Sequence, residues 1–155
     1  MRNGADSWRL SFEAWAATVP AAFVEDPLWR MTVYRLALYL GEIAWADVTQ
    51  LARDRRASAH ADQLYRAIGS ISANIAEGYS RSSGPDRARL LEYSLGSARE
   101  ARDWYYRARH IIGDEAANDR FSLLSDIIRL LLTMLPGQRK LSLKEDAAEY
   151  STDEV

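Results

Sequence analysis

Two histidines, His60 and His110, are where metal or acid–base chemistry would be sought in this 155-residue chain, which has no cysteine. Neither stands at a spacing that such chemistry needs. A Glu-x-x-His pair puts two ligands one turn apart on one helix face, as a di-iron bundle requires, and His-Glu-x-x-His does the same for zinc; both are absent. No glycine spacing makes a phosphate-cradling loop, and no Gly-x-Ser-x-Gly elbow presents a serine nucleophile. Without cysteine there is no thiolate ligand, thiol nucleophile or disulfide, a composition that fits a reducing cytosol. These residues argue for no catalytic site, no metal and no cofactor, and the chain is expected not to be an enzyme.

The cations say more. Arginine outnumbers lysine eighteen to two, and from Arg53 to Arg109 eleven arginines stand against seven acidic residues, in a chain of net charge −2. Guanidinium forks match phosphate and stack on bases, so a cationic middle is compatible with nucleic-acid binding. The plainer alternative is a set of solvated helix faces, with arginines three and four residues from acids. Trp104, Tyr105 and Tyr106 stand beside Arg102, Arg107 and Arg109. They could form a stacking platform, but core placement of Trp104 and Tyr105, with only Tyr106 facing out, is the favoured reading.

The most specific local sequence is Ser70-Ile71-Ser72-Ala73-Asn74-Ile75-Ala76-Glu77-Gly78-Tyr79. Arg66, Ser70, Asn74 and Glu77 share one helix flank at spacings of four, four and three. Antiparallel pairing with the following helix brings Arg66 near Glu100, and the two are expected to pair. Small residues at Gly96 and Ser97 suit a close approach of two backbones. Asn74 and Glu77 are expected to satisfy backbone groups at the helix end or at a subunit contact; Glu77 as a general acid lacks any histidine or metal partner.

All of these residues need helices to position them. No stretch alternates apolar and polar residues for long, and β-branched residues never cluster. A short helix is predicted near residues 6–18, ended by Pro20, and longer ones at about 28–53, 57–79, 85–112 and 117–135. Asp26 and Pro27 suit a helix start, Ser83-Gly84-Pro85-Asp86 and Gly113-Asp114 separate helices, and Pro136-Gly137 ends the last. Stripes such as Trp29, Val33, Leu36, Leu40, Ile43, then Leu64, Ile68, Ile71, Ile75, then Phe121, Leu124, Ile128, Leu131, Leu135 mark one buried face per helix. The expected fold is all-α: an antiparallel up-down four-helix bundle over residues 28–136, an N-terminal extension with a short amphipathic helix over 1–27, and a flexible acidic tail over 137–155.

Two helices carry more apolar surface than one core can use. Met31, Tyr34, Leu38 and Trp45 form a second stripe on the first long helix, and Leu91 and Leu95 flank the inner face of the third. A homo-oligomer interface through these six is the favoured expectation. The alternative is cover by the N-terminal helix, whose own stripe is Trp8, Phe12, Trp15 and Val19. The run from Ile127 to Pro136 is interrupted by Arg129 and is about half the length a bilayer demands, and the first twenty residues lack an unbroken apolar stretch. A soluble, cytoplasmic protein with no membrane partner is expected.

With Gln63-Leu64-x-Arg66-Ala67, Ser70-Ile71, Asn74-Ile75-Ala76-Glu77-Gly78-Tyr79, Arg81 and then Gly96-Ser97-x-x-Glu100, the chain resembles the four-helix-bundle family first described from intervening sequences in bacterial 23S ribosomal RNA genes. The resemblance spans about residues 28–136. It implies a ring-like homo-oligomer, often a pentamer. The broad family is similar to the accessory variability determinant of diversity-generating retroelements, a basic ring that binds nucleic acid and a partner reverse transcriptase. For such a role Arg55, Arg56, Arg89, Arg99 and Arg107 could supply the cationic outer faces. Where the family often has proline this chain has Ser72, so the helix should run without a proline kink. Two functions are thus expected: an RNA- or DNA-binding accessory factor, or a scaffold that captures a protein partner through Trp8, Phe12 and Trp15.

Overall fold

The computed structural model describes residues 10–151, with side chains through residue 139. Two short helices, α1 (Phe12–Ala16) and α2 (Ala21–Val24), and a 3-10 turn at Pro27–Arg30 lead into four long helices. These are α3 (Thr32–Ala52), α4 (Ser58–Tyr79), α5 (Gly84–Ile112) and α6 (Asp114–Ser151). The boundaries follow local chemistry. Asp26 Oδ1 accepts the Leu28 N–H at 2.9 Å, so Asp26 caps the 3-10 turn, and α3 starts only after Met31. Ser83 Oγ accepts the Asp86 N–H at 3.2 Å, with Pro85 in the first turn of α5. α4 runs unbroken through Ser72. α5 stops at Gly113, whose φ of 89° a side chain would resist, and α6 begins at the next residue. The largest departure from the expected boundaries is at the last helix: α6 does not end at Pro136 but continues to Ser151 with the proline inside it. Pro136 is exposed, so the hydrogen bond its missing N–H forfeits leaves no group stranded in the core.

Successive long helices pack on each other, and α5 lies between α4 and α6, while α3 leans mainly on α4 and touches α6 far less. Leu40, Leu51, Leu64, Ile68, Ile71, Ile75, Leu124, Ile127 and Leu131 are fully buried and form one continuous core. The apolar excess noted in the sequence is largely accounted for inside this single chain. Leu91 and Leu95 are buried because α5 is covered on two sides by its own neighbours α4 and α6, and Tyr34 of α3 is buried too, beside Phe23 and Leu28 of the N-terminal segment. Met31 and Leu38 are half-buried against the same core, which leaves Trp45, 63% exposed, as the one uncovered member of the six.

The N-terminal aromatics are also engaged within the chain. Trp15 is buried, with ring centroids 5.4 Å from Tyr39 and 6.1 Å from Trp29, and the half-buried Phe12 meets Tyr39 edge-on at 5.6 Å. The Tyr39 hydroxyl donates to the Leu10 carbonyl at 2.9 Å and pins the segment to α3. Phe12 and Trp15 are therefore not a free surface for a partner; burying their rings on α3 is worth more than leaving them in water. Trp8 lies outside the described residues.

One polar cluster crosses the core. Asp47 of α3 is 5% exposed and Tyr105 of α5 is 0% exposed. The Tyr105 hydroxyl donates to Asp47 Oδ2 at 2.7 Å, and Arg120 of α6 donates through Nε to Oδ2 at 2.8 Å and through Nη2 to Oδ1 at 3.1 Å. Both carboxylate oxygens are thus satisfied, which is what permits a charge at this depth. Close approach of helices occurs at Gly78, where a Cβ would come within 3.2 Å of Leu90 Cβ and 3.4 Å of the Arg87 carbonyl oxygen. At Gly96 nothing lies within 4 Å and the residue is exposed, so the expected close approach there is not found. Ser94 makes the contact instead, its hydroxyl donating to the Ile71 carbonyl at 2.9 Å.

These features set measurable outcomes for four substitutions. Asp47→Ala strands the Arg120 guanidinium and should lower stability by about 3–5 kcal/mol in urea unfolding. Burial, and then the Asp47 carboxylate, hold the Tyr105 hydroxyl well above its ordinary value of 10. The folded chain keeps that proton after the unfolded chain has lost it. Its contribution is therefore complete below pH 10 and falls as the pH climbs towards the raised folded value, and Tyr105→Phe should remove this alkaline loss. Gly78→Ala should destabilise by about 1–3 kcal/mol because backbone and Cβ must move, whereas Gly96→Ala should stabilise by about 0.5–1 kcal/mol.

Candidate functional site

Because Tyr105 is fixed inward, the rest of α5 has a defined rotation. At 3.6 residues per turn, Arg99, Arg102 and Tyr106 fall on one flank within about 60° of each other. That flank borders α6, where Arg99, Arg102, Asp103 and Tyr106 line a cleft of about 440 Å³ with Phe121. Tyr106 is 57% exposed and also borders a second cleft of about 440 Å³, lined by Arg56, His60, Arg107, Arg109 and His110 among others. The second cleft lies at the end of the bundle where α3 gives way to α4 and α5 to α6, and the first runs towards that end from Arg99 at the middle of α5.

The cations here differ in how they are held. Arg56 pairs with Asp54 at 2.7 Å, and this hydrogen-bonded guanidinium draws the Asp54 carboxyl down to about 2. Arg107 pairs with Asp103 at 3.3 Å and lies 5.1 Å over the Trp104 ring. Arg109 stacks 3.8 Å over Tyr106, and His60 lies 5.2 Å from the half-buried Trp104. Arg99 and Arg102 make no hydrogen bond or ion pair with any described residue. Asp103 is already engaged by Arg107, so two uncompensated guanidinium groups face the α5/α6 cleft beside two aromatic rings.

Three of the five arginines singled out in the sequence gather at this end, Arg55 and Arg56 in the turn between α3 and α4 and Arg107 in the last turns of α5, while Arg99 stands at the middle of α5 on the flank that lines the first cleft. Arg89 does not join them. It sits near the start of α5, paired with Asp86 at 3.4 Å and 5.9 Å from the Tyr93 ring centroid. Arg102 and Arg109, already grouped with the aromatic run in the sequence, complete the site together with His60 of α4 and Phe121 of α6, which only the packing of these helices on α5 brings to it.

The polar motif of α4 is separate from both clefts. Arg66 pairs with Asp62, one turn back, at 3.6 Å, and not with Glu100, which accepts from Trp104 Nε1 at 3.3 Å. Each exposed side chain takes the partner nearest along its own helix. Asn74 Nδ2 donates to the Ser70 carbonyl at 2.8 Å, as a backbone-satisfying role requires, while Glu77 pairs with Arg81 at 2.6 Å. Ser97 Oγ donates to the Tyr93 carbonyl at 3.0 Å.

A third cleft, about 550 Å³, occupies the opposite end between Met31, Gly78, Tyr79, Arg87, Leu91, Met134 and Gln138. Among its described lining residues the one cation is Arg87, whose Nε donates to the Arg81 carbonyl. Among the described residues no group of three or more His, Cys, Asp or Glu is placed to hold a metal, and no helix is long and apolar enough to cross a membrane.

The family model described as 23S rRNA-intervening sequence protein covers residues 30–134, from the last residue of the 3-10 turn to Met134 in α6. No curated protein matches the chain.

Proposed function

The chain belongs to the 23S rRNA-intervening sequence protein family, and we propose that it is a non-enzymatic factor that binds RNA or DNA through the arginine-rich end of its bundle. The observation that carries this reading is the pair Arg99 and Arg102, without an acidic partner among the described residues and adjoining exposed Tyr106. A guanidinium fork not already matched to a carboxylate is free to take phosphate bidentately. Arg56, Arg107 and Arg109, held in place by Asp54, Asp103 and the Tyr106 ring, extend the positive surface around the same end. The net charge of −2 does not oppose this, because a phosphate chain responds to the local field within a Debye length.

The same proposal includes self-association, through the surface around Trp45. Trp45 stacks edge-on against Tyr65 of α4 at 5.7 Å, and both rings remain exposed. A ring of copies would repeat the arginine end around its axis and multiply its hold on a long polyanion.

Fluorescence anisotropy with labelled RNA, and retention on heparin, test the first part. Binding should weaken steeply between about 50 and 200 mM salt. Arg99→Glu with Arg102→Glu should lower affinity at least ~10-fold and flatten the salt slope by about 0.7 for each phosphate of a single strand that is no longer neutralised. Absence of binding at the low salt would remove the reading. For assembly, sedimentation equilibrium should give a multiple of 17.5 kDa that Trp45→Ser reduces; a mass of 17.5 kDa at all concentrations would rule it out.

A further inference from the structure

We infer that the strand bound at this end is single-stranded, and that one unpaired base seats in the α5/α6 cleft against Tyr106 and Phe121 while Arg99 and Arg102 take the adjoining phosphates. The inference rests on the nucleic-acid reading above and specifies its ligand. Four observations point the same way. The cleft, about 440 Å³, falls within the size range of small-ligand sites and has aromatic side chains from two different helices on its walls. The Tyr106 ring is largely exposed and carries Arg109 at 3.8 Å, a cation that holds the ring in place and would extend a stack with a base on its other face. The two arginines that line this cleft have no described partner, and the acid among its described lining residues, Asp103, is paired with Arg107. Arg99 and Arg102 are one turn apart, about 4.5 Å along the helix axis, so they act together on one short piece of backbone.

A duplex does not fit this arrangement. Its bases are stacked on each other and present only edges, so exposed rings in a recess would gain nothing from it, and only the phosphate contacts would remain. An unpaired strand offers both the flat face and the charge.

The full chain would be titrated with a labelled single strand of about a dozen nucleotides, the same strand annealed to its complement, and a strand of equal length with abasic sugars that keeps every phosphate. The single strand should bind at least ~10-fold tighter than the other two. Tyr106→Ala, a change at an exposed position, should weaken the single strand by about 5- to 100-fold and abolish its advantage over the duplex and the abasic strand; Tyr106→Phe should restore it. Equal affinity for all three probes, with Tyr106→Ala neutral, would overturn the base seat while leaving polyanion binding intact. Failure of all three to bind would remove both.

Discussion

A carboxylate enclosed by three helices has to be matched on every side, and Asp47 is. Its two oxygens receive Arg120 and Tyr105, so α3, α5 and α6 are joined at one level of the bundle. This matters most between α3 and α6, which otherwise touch little. Sliding α6 by one turn would move Arg120 about 5.4 Å and leave a charge in the core. The apolar stripes tolerate such a slip far better, since leucine and isoleucine fill many positions alike. The ion pair therefore sets the axial register, while hydrophobic burial supplies the bulk of the stability.

The same constraint reaches the surface. Tyr105 can meet Asp47 only if α5 is rotated with that residue inward, and the rotation then dictates where its neighbours point. Tyr106 is turned out to solvent, and Arg99 and Arg102 follow it onto the α6 side. A buried hydrogen bond and an exposed cationic cleft are consequences of one helix orientation.

The helices, their order and most of their inner faces were legible from periodicity, because a repeat of three and four residues has one structural solution in water. The polar cluster was not read from the sequence, where only the inward placement of Tyr105 was expected. Asp47 interrupts the row Leu40, Ala44, Leu51, and Arg120 the row Ala117, Leu124, Ile127, so two opposite charges stand in two buried stripes. Which stripe meets which is a matter of three-dimensional register, and no spacing within one helix supplies it. For the same reason Arg66 and Glu100, adjacent in a flat antiparallel diagram, find partners on their own helices. The glycines misled in a similar way: Gly78 marks the crossing of α4 and α5, whereas Gly96 faces outward. Arg89 and Arg107 share a helix, but eighteen residues separate them by about 27 Å, so membership of one charged segment did not put them in one site.

Gly113 alone connects α5 to α6, and the walls of the cleft rise from it: Tyr106 and Phe121 are each about 10–12 Å up their helices from that residue. With a connector this short the two walls share a base and have little freedom to splay. Whatever enters the groove meets a shape made in advance, so recognition there would be governed by fit and encounter, with little rearrangement of the host.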